Sequence, residues 1–473
     1  MIILGTNSIK ATGYDVANSV RFNDGDSPRM HKTPSGAGNR RKFTISAWVK
    51  RGSNLGANSY IFDARVDGSD NAPFQFNTSD QIFFRTKVGG SSYYIQTNRV
   101  FRDVSAFYHL AIVYDNTLGT AGDRIQLWVN GVRETSFADS AMPPQNTDTT
   151  VNNASVVQTV GSEGGGGSFF DGYISEFVLL DGTADSPVDT LGSFDEDSGI
   201  WKPIDVSGLT FGTNGFYLDF KDSANLGNDA NGGTDLTEVN LAATDQSTDT
   251  CTNNFATWNS LQPTNATMTE GNLVGASSAS SGHYSGLSTI GVTSGKWYFE
   301  CKQIQESTTG EGIIGAVIFY NTVTALLNPE GRGGAWGIKA QGRGFQTDSG
   351  GSGSTTNSFT AGWSNNDTIG IALDIDNSRI YFSKGGQWNN SGSWNAANPT
   401  TSQTLQNALG DGTYFFFAGD ASGSNNNTWS ANFGSPAYAI SSGNTDGNGY
   451  GNFEYAPPSN YFALNTKNLA EYG

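Results

Sequence analysis

The feature that most constrains the fold is a series of short runs in which apolar and polar residues alternate. Examples are Phe43 to Val49, Tyr108 to Tyr114 and Ile125 to Val129. Successive side chains of an extended strand point to opposite faces, so runs of this kind place alternate residues in a core. Asn130-Gly131, which follows the third run, supplies the positive φ angles of a two-residue hairpin turn. Long helix-forming windows are absent, and the pattern predicts an all-β fold with almost no helix.

Such runs occur in two stretches of the 473-residue chain, which exceeds what one hydrophobic core usually supports. Between them, from Asp181 to about Glu270, Gly, Asn, Asp and Thr dominate, and such a segment cannot bury enough apolar area for a core of its own. We therefore predict two tandem antiparallel β-sandwiches joined by a Gly/Asn-rich connector. The predicted order is an N-terminal arm (1–18), a first sandwich (19–185), the connector (186–270), a second sandwich (271–435) and a C-terminal tail (436–473).

Charge and composition exclude several classes of partner. The formal net charge is -18, so the field of the whole molecule repels a phosphate backbone and nucleic acid is not an expected partner. No stretch approaches 18 apolar residues, and no membrane span is expected. The two cysteines, Cys251 and Cys301, form no disulfide framework. One basic cluster is either a solvated edge or a local docking patch: Arg29, Lys32, Arg40, Arg41, Lys42, Lys50 and Arg51.

Three segments of the first stretch have a familiar order and spacing. They are FTISAWVK (43–50), YHLAIVYD (108–115) followed by IQLWVNG (125–131), and FDGYISEFVLLDG (170–182). With these segments the first stretch resembles the laminin-G-like, concanavalin-type domains. The resemblance implies a jelly-roll sandwich.

The second stretch contains GKWYFE (295–300), WGI (336–338) and DTIGIALDIDNSRIYF (367–382), the last followed by Lys384-Gly385-Gly386. These segments resemble the SPRY domain, in which the longest of them forms a hairpin with a polar turn. The resemblance implies a second, SPRY-like sandwich.

The combination of these two domains resembles structural proteins of tailed bacteriophages, especially those of marine hosts. The opening Ser19 to Asp26 and the closing Pro457 to Leu464 are similar to that group as well. The resemblance implies a virion component that is assembled in the host cytoplasm and released by lysis. The apolar start, Met1 to Leu4, is too short for a secretion signal, in keeping with that route.

Catalytic patterns are not found in the sequence. His31, His109 and His283 are too scattered for a metal cluster or a triad, and His109 fits a structural place in an apolar strand. Concanavalin-type glycosidases need two carboxylates across a cleft, on an E-x-D-x-x-E strand that this chain lacks. Asp374 and Asp376 fit a turn-capping role better. We expect a protein that is not an enzyme, with a glycan-degrading enzyme as the less favoured alternative.

No cofactor is expected, with the exception of Ca²⁺, which laminin-G-like domains and related lectins often hold through carboxylates and carbonyls. The candidate ligands follow core strands or lie in the loops near them. They are Asp63, Asp67, Asp115 and Asn116.

Sugar recognition on a β-sandwich uses an aromatic surface for the apolar face of the sugar and polar groups for its hydroxyls. Aromatic residues in polar, loop-like sequence are the candidates: Tyr93, Tyr94, Trp388, Trp394 and Trp429.

Two functions remain open. The first is a tail fibre or appendage component that binds a host surface glycan or protein, and the second is a capsid or tail decorating subunit that packs only against other virion proteins. A homo-oligomer is expected in both cases, and a trimer for a fibre.

Overall fold

The computed structural model divides the chain into two compact units, which we call the N-terminal unit (13–252) and the C-terminal unit (253–473). The regular secondary structure of both is almost entirely strand, so the prediction of an all-β fold with almost no helix is confirmed. The first residues of the predicted N-terminal arm, 1–12, lie outside the described residues. The structure describes residues 13–261, 266–277, 284–306, 310–318, 334–347, 353–405, 412–421 and 426–473.

The strands of the N-terminal unit form two large sheets. In chain order they are β1 (Ser19–Phe22), β2 (Arg29–Lys32), β3 (Lys42–Arg51), β4 (Ser59–Arg65), β5 (Phe74–Phe76), β6 (Gln81–Val88), β7 (Ser91–Val100), β8 (Tyr108–Asp115), β9 (Ile125–Val129), β10 (Val132–Arg133), β11 (Phe137–Ala141), β12 (Val157–Val160), β13 (Gly172–Asp181), β14 (Gly192–Phe194), β15 (Trp201–Pro203), β16 (Phe216–Leu218), β17 (Thr237–Val239) and β18 (Gln246–Ser247). Sheet A has the order β10-β9-β8-β3-β13-β1-β18, with β16 also paired to β13. Sheet B has the order β11-β7-β6-β5-β4-β12-β2-β17, and β14 and β15 form a separate hairpin. Short 3₁₀ turns occupy Asp24–Asp26, Ala121–Asp123 and Ala243–Asp245.

The core of the N-terminal unit lies between sheets A and B. Every second side chain of β3 points into it, as the alternation in its sequence predicted. Phe43, Ile45 and Val49 are fully buried together with the Phe side chains of β4 and β5. Ser46 and Trp48 alternate with them and point to the other side of sheet A. The predicted first sandwich is therefore present.

The outer face of sheet A is covered by the chain that follows β13. Leu191, Val206 and Phe211 pack on Val178 and Leu180 of this face. Within the predicted connector, β16, β17 and β18 also extend the two sheets. Residues 186–252 of that segment thus belong to the N-terminal unit, because their sparse apolar side chains bury against an existing sheet and need no core of their own.

The C-terminal unit forms a second pair of sheets. Its strands are β19 (Ala266–Thr269), β20 (Val274–Ser277), β21 (Tyr284–Leu287), β22 (Lys296–Glu306), β23 (Gly312–Ile318), β24 (Ala335–Lys339), β25 (Gly344–Thr347), β26 (Gly353–Thr356), β27 (Thr368–Asp374), β28 (Arg379–Lys384), β29 (Gln387–Asn390), β30 (Ser393–Ala396), β31 (Ser402–Thr404), β32 (Tyr414–Asp420), β33 (Asn427–Asn432) and β34 (Phe462–Ala463), followed by the helix α1 (Thr466–Tyr472). Sheet C has the order β19-β20-β33-β22-β27-β28-β29-β30, with β31 paired to β28 and β34 to β22. Sheet D has the order β21-β32-β23-β24-β25-β26. The pairing of β34 with β22 is parallel, whereas the neighbouring pairings of β22 are antiparallel.

The core of the C-terminal unit again lies between two sheets. The ring of Phe299 in sheet C lies 4.5 Å from that of Phe416 in sheet D and 5.0 Å from that of Phe433. The predicted polar hairpin is β27 and β28, and the Oδ1 atom of Asp374 accepts a hydrogen bond of 3.0 Å from the backbone of Asn377 in its turn. The second predicted sandwich is therefore present as well. Among the described residues, no helix is both long enough and apolar enough to cross a membrane.

The predicted C-terminal tail covers the outer face of sheet C. Glu300 is fully buried there, and its two carboxylate oxygens accept hydrogen bonds from the backbone N–H groups of Tyr455 (2.7 Å) and Glu454 (3.0 Å). Phe453 and Tyr461 pack on this face beside them. Each unit therefore has one sheet whose outer face is covered by a later part of the same unit.

Candidate ligand-binding face on sheet B

The outer face of sheet B is exposed in part and rich in aromatic and amide side chains. On β6 the side chains of Ile82 and Phe84 enter the core, so those of Phe83 and Arg85 point outward and are partly exposed. On β7 the outward positions are taken by Tyr94 and Gln96, which alternate with the buried Ile95 and Thr97. Because successive side chains of a strand point to opposite faces, these outward side chains all lie on one surface of sheet B.

Strand register places these side chains next to one another. Phe83 pairs with Gln96, and Arg85 pairs with Tyr94. Directly opposed residues of antiparallel strands have Cβ atoms about 5 Å apart. Gln75 of β5 pairs with Phe83, and Tyr60 of β4 pairs with Gln75, which extends the row across four strands. We call the following set the sheet B face: Tyr60, Gln75, Phe83, Arg85, Tyr94 and Gln96.

Two aromatic rings form the centre of the sheet B face. The ring centroids of Phe83 and Tyr94 are 5.7 Å apart, with an angle of 37° between the ring planes. The Tyr94 hydroxyl donates a hydrogen bond of 2.8 Å to Oδ2 of Asp139, and this bond raises the pKa of Tyr94. The Gln96 amide donates to Oε1 of Gln81 at 2.7 Å. Neighbouring side chains thus hold the rings and the amide in place.

Acidic and basic groups lie beside the rings. Arg65 forms ion pairs with Asp63 at 2.7 Å and with Glu163 at 2.8 Å. Burial raises the pKa of Asp63. Burial also raises the pKa of Tyr60, to about 12. Among the described residues, the guanidinium of Arg85 donates a single hydrogen bond, of 2.7 Å, to Oδ1 of the Asn71 side chain.

Three buried polar atoms of this region have no hydrogen-bond partner among the described residues. They are Asp63 Oδ1, Gln75 Oε1 and Arg85 Nε. Buried polar atoms are nearly always paired, so these three atoms, which are closed off from the surface, favour bound water as a partner.

The aromatic candidates from the sequence are divided by the structure. Tyr94 belongs to the sheet B face, whereas its neighbour Tyr93 pairs with the buried Thr86 and lies on the opposite side of β7. Both are strand residues that follow the Gly89-Gly90 turn, not loop residues. The two tyrosines therefore cannot act as one surface.

The prediction that Trp388 and Trp429 lie in loops is wrong. Trp388 is a residue of β29, 4% exposed, and packs with Tyr298 on the covered side of sheet C. Trp429 is a fully buried residue of β33, and its indole N–H donates to the carbonyl of Gly419 at 2.9 Å. Trp394 is partly exposed, on β30. The Asn- and Ser-rich flanks suggested loops, but their backbones complete strand pairs of sheet C.

The candidate calcium ligands lie on different elements. Asp63 is buried on β4, whereas Asp115 ends β8 in the other sheet, and its Oδ1 accepts from the backbone of Thr117 at 3.0 Å. Asp67 is exposed in the turn after β4 and accepts from the backbone N–H of Ser69 at 2.6 Å. Asn116 is buried and donates to the Tyr114 hydroxyl at 3.1 Å. In the described part of the chain, no group of three or more His, Cys, Asp or Glu side chains is arranged to hold a metal, and a calcium site at these residues stays a prediction.

A second polar cluster lies buried between sheet A and its cover. His109 is 1% exposed, its Nε2 lies 2.8 Å from Oγ of Ser46, and its ring lies 5.6 Å from that of Trp201. Burial lowers the pKa of His109 to about 3, so this imidazole is neutral at ordinary pH. Pro203 and Val206 close the small space beside it. This cluster is buried and is not accessible to a substrate, so the sheet B face is the better candidate for a ligand-binding site.

Sequence reasoning missed most of the sheet B face. Phe83 and Arg85 belong to the run QIFFRTKV, in which Phe83 and Phe84 are chemically alike. The run does indicate that Phe83 points outward, because every second residue of a strand lies on the same face and the residues that share a face with Phe83 are the charged Arg85 and Lys87. Which strand lies opposite cannot be obtained from that alternation.

Comparisons with known proteins agree with the first domain. Residues 25–186 match the Laminin_G_3 family, described as the concanavalin A-like lectin/glucanases superfamily. The N-terminal unit thus contains a concanavalin A-like domain, as its segments predicted. The match covers only this part of the chain, and no curated protein matches the sequence.

Solved structures give more distant similarities. The SPRY domain of human HERC1 is 15% identical, with 34% of this chain and 87% of that chain covered and a TM-score of 0.25. The PSpry domain of TRIM65 is 14% identical, with 37% and 91% covered and a TM-score of 0.28. A SAP-like pentraxin from Limulus polyphemus is 17% identical, with 37% and 80% covered and a TM-score of 0.25. Similarity at this level says nothing about function.

Proposed function

We propose that this protein is a non-catalytic recognition protein that binds a saccharide on the sheet B face. The observation that supports this most directly is the pair of neighbouring rings, Phe83 and Tyr94, with the partly exposed amide of Gln96 opposite Phe83. Rings of this kind pack against the apolar face of a sugar, and amides exchange hydrogen bonds with its hydroxyls. The position of the face within a concanavalin A-like domain is in keeping with this function.

The acidic groups near this face favour binding over catalysis. Glycoside hydrolysis needs two carboxyl groups free to act on opposite sides of the scissile bond. Asp63 is paired with Arg65, and Asp139 accepts the hydrogen bond of Tyr94. Both carboxylates therefore serve to position neighbours, and we assign no reaction to the protein.

We further propose that the chain is a tail fibre or appendage component of a tailed bacteriophage particle, where the saccharide is a host surface glycan. The support is the resemblance in domain content, a laminin-G-like domain followed by SPRY-like segments. In this proposal the protein works as a homo-oligomer in contact with other virion proteins. Its alternative, a decorating subunit, would use the same face to pack against a virion protein.

A binding experiment on the purified protein tests the saccharide site. Tyr94→Ala removes one ring of the pair, and we expect an affinity about 5- to 30-fold weaker, since aromatic contacts of this kind contribute roughly 1 to 2 kcal/mol. Trp394→Ala is the matched control, because it removes a partly exposed aromatic side chain from the C-terminal unit. Saccharide arrays identify the ligand, and isothermal titration calorimetry measures the affinity.

Two results would contradict the proposal. One is that the folded wild-type protein binds no saccharide on arrays of bacterial surface glycans. The other is equal affinity of wild type and Tyr94→Ala. Immunogold labelling of purified particles tests the virion assignment separately, and a protein absent from the particle would refute that assignment alone.

A further inference from the structure

Two neighbouring arginines, Arg85 of the sheet B face and Arg65 near it, differ in their electrostatic surroundings. Arg65 forms ion pairs with two carboxylates, Asp63 and Glu163. Arg85 forms no ion pair with a carboxylate anywhere in the described ranges, and the one hydrogen bond of its guanidinium goes to the neutral side chain of Asn71. Arg85 therefore has no carboxylate in direct contact, although Asp63 and Glu163 lie near enough to act on its pKa.

The position of Arg85 makes that charge costly. The guanidinium is half-buried, and this desolvation lowers the pKa of Arg85. Its Nε is buried and, among the described residues, has no acceptor. A cation that is partly removed from water and lacks a counter-ion destabilises the free protein, whereas a bound anion would lower that cost.

The charge also lies where a bound sugar would present its substituents. Arg85 is directly opposite Tyr94 in the strand register, and its Cζ atom is 5.8 Å from the centroid of the Phe83 ring. The guanidinium lies over the Phe83 ring, so a sugar ring stacked on Tyr94 has the guanidinium at its edge. A guanidinium binds a carboxylate through two parallel charge-assisted hydrogen bonds, which is the strongest neutralising contact open to it.

We propose that Arg85 makes the saccharide site selective for acidic sugars, those in which a carboxylate is attached to the ring. This inference rests on the proposed function, since it names the class of saccharide bound at the same face. It holds although the net charge of the protein is -18, because no carboxylate of the described residues contacts the guanidinium of Arg85, and the two that lie near it, Asp63 and Glu163, form ion pairs with Arg65.

The test uses pairs of saccharides with the same backbone and different charge. The probes are oligogalacturonate with its methyl ester, sialyllactose with lactose, and hyaluronan oligosaccharides with their carboxyl-reduced form. We expect the wild-type protein to bind the acidic member of at least one pair about 10- to 100-fold more tightly than the neutral member, the range of a charge-assisted hydrogen-bonded pair. Raising the salt concentration should weaken only the acidic member.

Variants separate the guanidinium from general charge. Arg85→Gln should bring the affinity for the acidic sugar to within about twofold of that for the neutral one, when both affinities are measured on the same variant. Lys87→Gln makes the same change of charge two residues along the same strand, and it should preserve the preference. Arg85→Lys should retain only part of it, because an ammonium group cannot form the two parallel bonds.

Each outcome decides a different point. If the wild type binds acidic and neutral members equally, or if Arg85→Gln keeps the preference, the role of Arg85 is refuted and the saccharide site itself stands. If sulfated oligosaccharides are strongly preferred over carboxylated ones, the acidic-sugar assignment is refuted in favour of sulfate esters. If no saccharide binds, the proposed function fails, and this inference fails with it.

Discussion

Glu176 provides a quantitative test of how the cover on sheet A is held. It lies in β13 at a bulge, with a positive φ of 50°, and its side chain is buried. Its Oε2 accepts hydrogen bonds from the hydroxyls of Tyr217 (2.7 Å) and Tyr14 (3.4 Å). Burial raises the pKa of Glu176 from 4.5 to about 7. We therefore expect the stability of the N-terminal unit to depend on pH through this group.

The direction of this pH dependence follows from the pKa of Glu176, which is higher in the folded state than in the unfolded state. The contribution of Glu176 is fully present below about pH 4.5, where the group is protonated in both states, and it is lost as the pH rises through about 7. The two pKa values differ by about 2.5, and one unit corresponds to about 1.4 kcal/mol, so roughly 3 kcal/mol is lost in total. Glu176→Gln stays neutral at every pH and keeps an acceptor oxygen for Tyr217. The variant should therefore escape this loss.

The assay is the free energy of unfolding from pH 4.5 to 8.5, measured by urea-dependent hydrogen exchange in peptides of β13, which report on the N-terminal unit. Wild type and Glu176→Gln should be of similar stability near pH 4.5, and the variant should be more stable by up to about 3 kcal/mol above pH 8. Glu196→Gln, which changes an exposed residue of the same unit, is the control and should follow the wild type. A difference between wild type and Glu176→Gln that does not change with pH would refute the reasoning.

Three further substitutions test the packing. Glu300→Ala leaves buried donors without an acceptor and should lower the free energy of unfolding of the C-terminal unit by roughly 3 to 5 kcal/mol; unchanged hydrogen exchange at the amides of 454–455 would contradict this. Trp388→Ala should cost about 3 to 5 kcal/mol in chemical denaturation because the side chain is buried, and a cost below 1 kcal/mol would place it at the surface. Gly131→Ala would put a Cβ atom 2.3 Å from the Trp201 ring at a φ of 74°. It should lower the melting temperature and increase the accessibility of that indole to fluorescence quenchers, and an unchanged spectrum would argue against the contact.

Local sequence was sufficient to predict those features that depend on the alternation of side chains along a single strand or hairpin. The alternation in Phe43 to Val49 predicted both the strand and its core-facing side, and the hairpin of Asp367 to Phe382 was placed correctly. The laminin-G-like segments predicted the domain that residues 25–186 match. These features depend on backbone geometry and side-chain order within a few residues, which the sequence contains directly.

The candidate site was predicted only in part. Tyr94 was identified from its aromatic character, but Tyr93 beside it has the same character and lies on the other side of the strand. Trp388 is flanked by polar residues that suggested a loop, and a later segment of the chain buries it. In both cases the deciding contact comes from a residue distant in the sequence.

The sequence by itself thus determined the all-β class, the two sandwiches and the inward side of the main strands, because alternation along a strand is a local property. The tertiary structure decided which faces are covered and which side chains meet. Residues 186–217 and 436–463 cover sheets A and C, whereas the register of β6 against β7 unites Phe83, Arg85 and Tyr94. Covering and register depend on pairings between distant segments, and the free energy of such pairings is not contained in any local pattern.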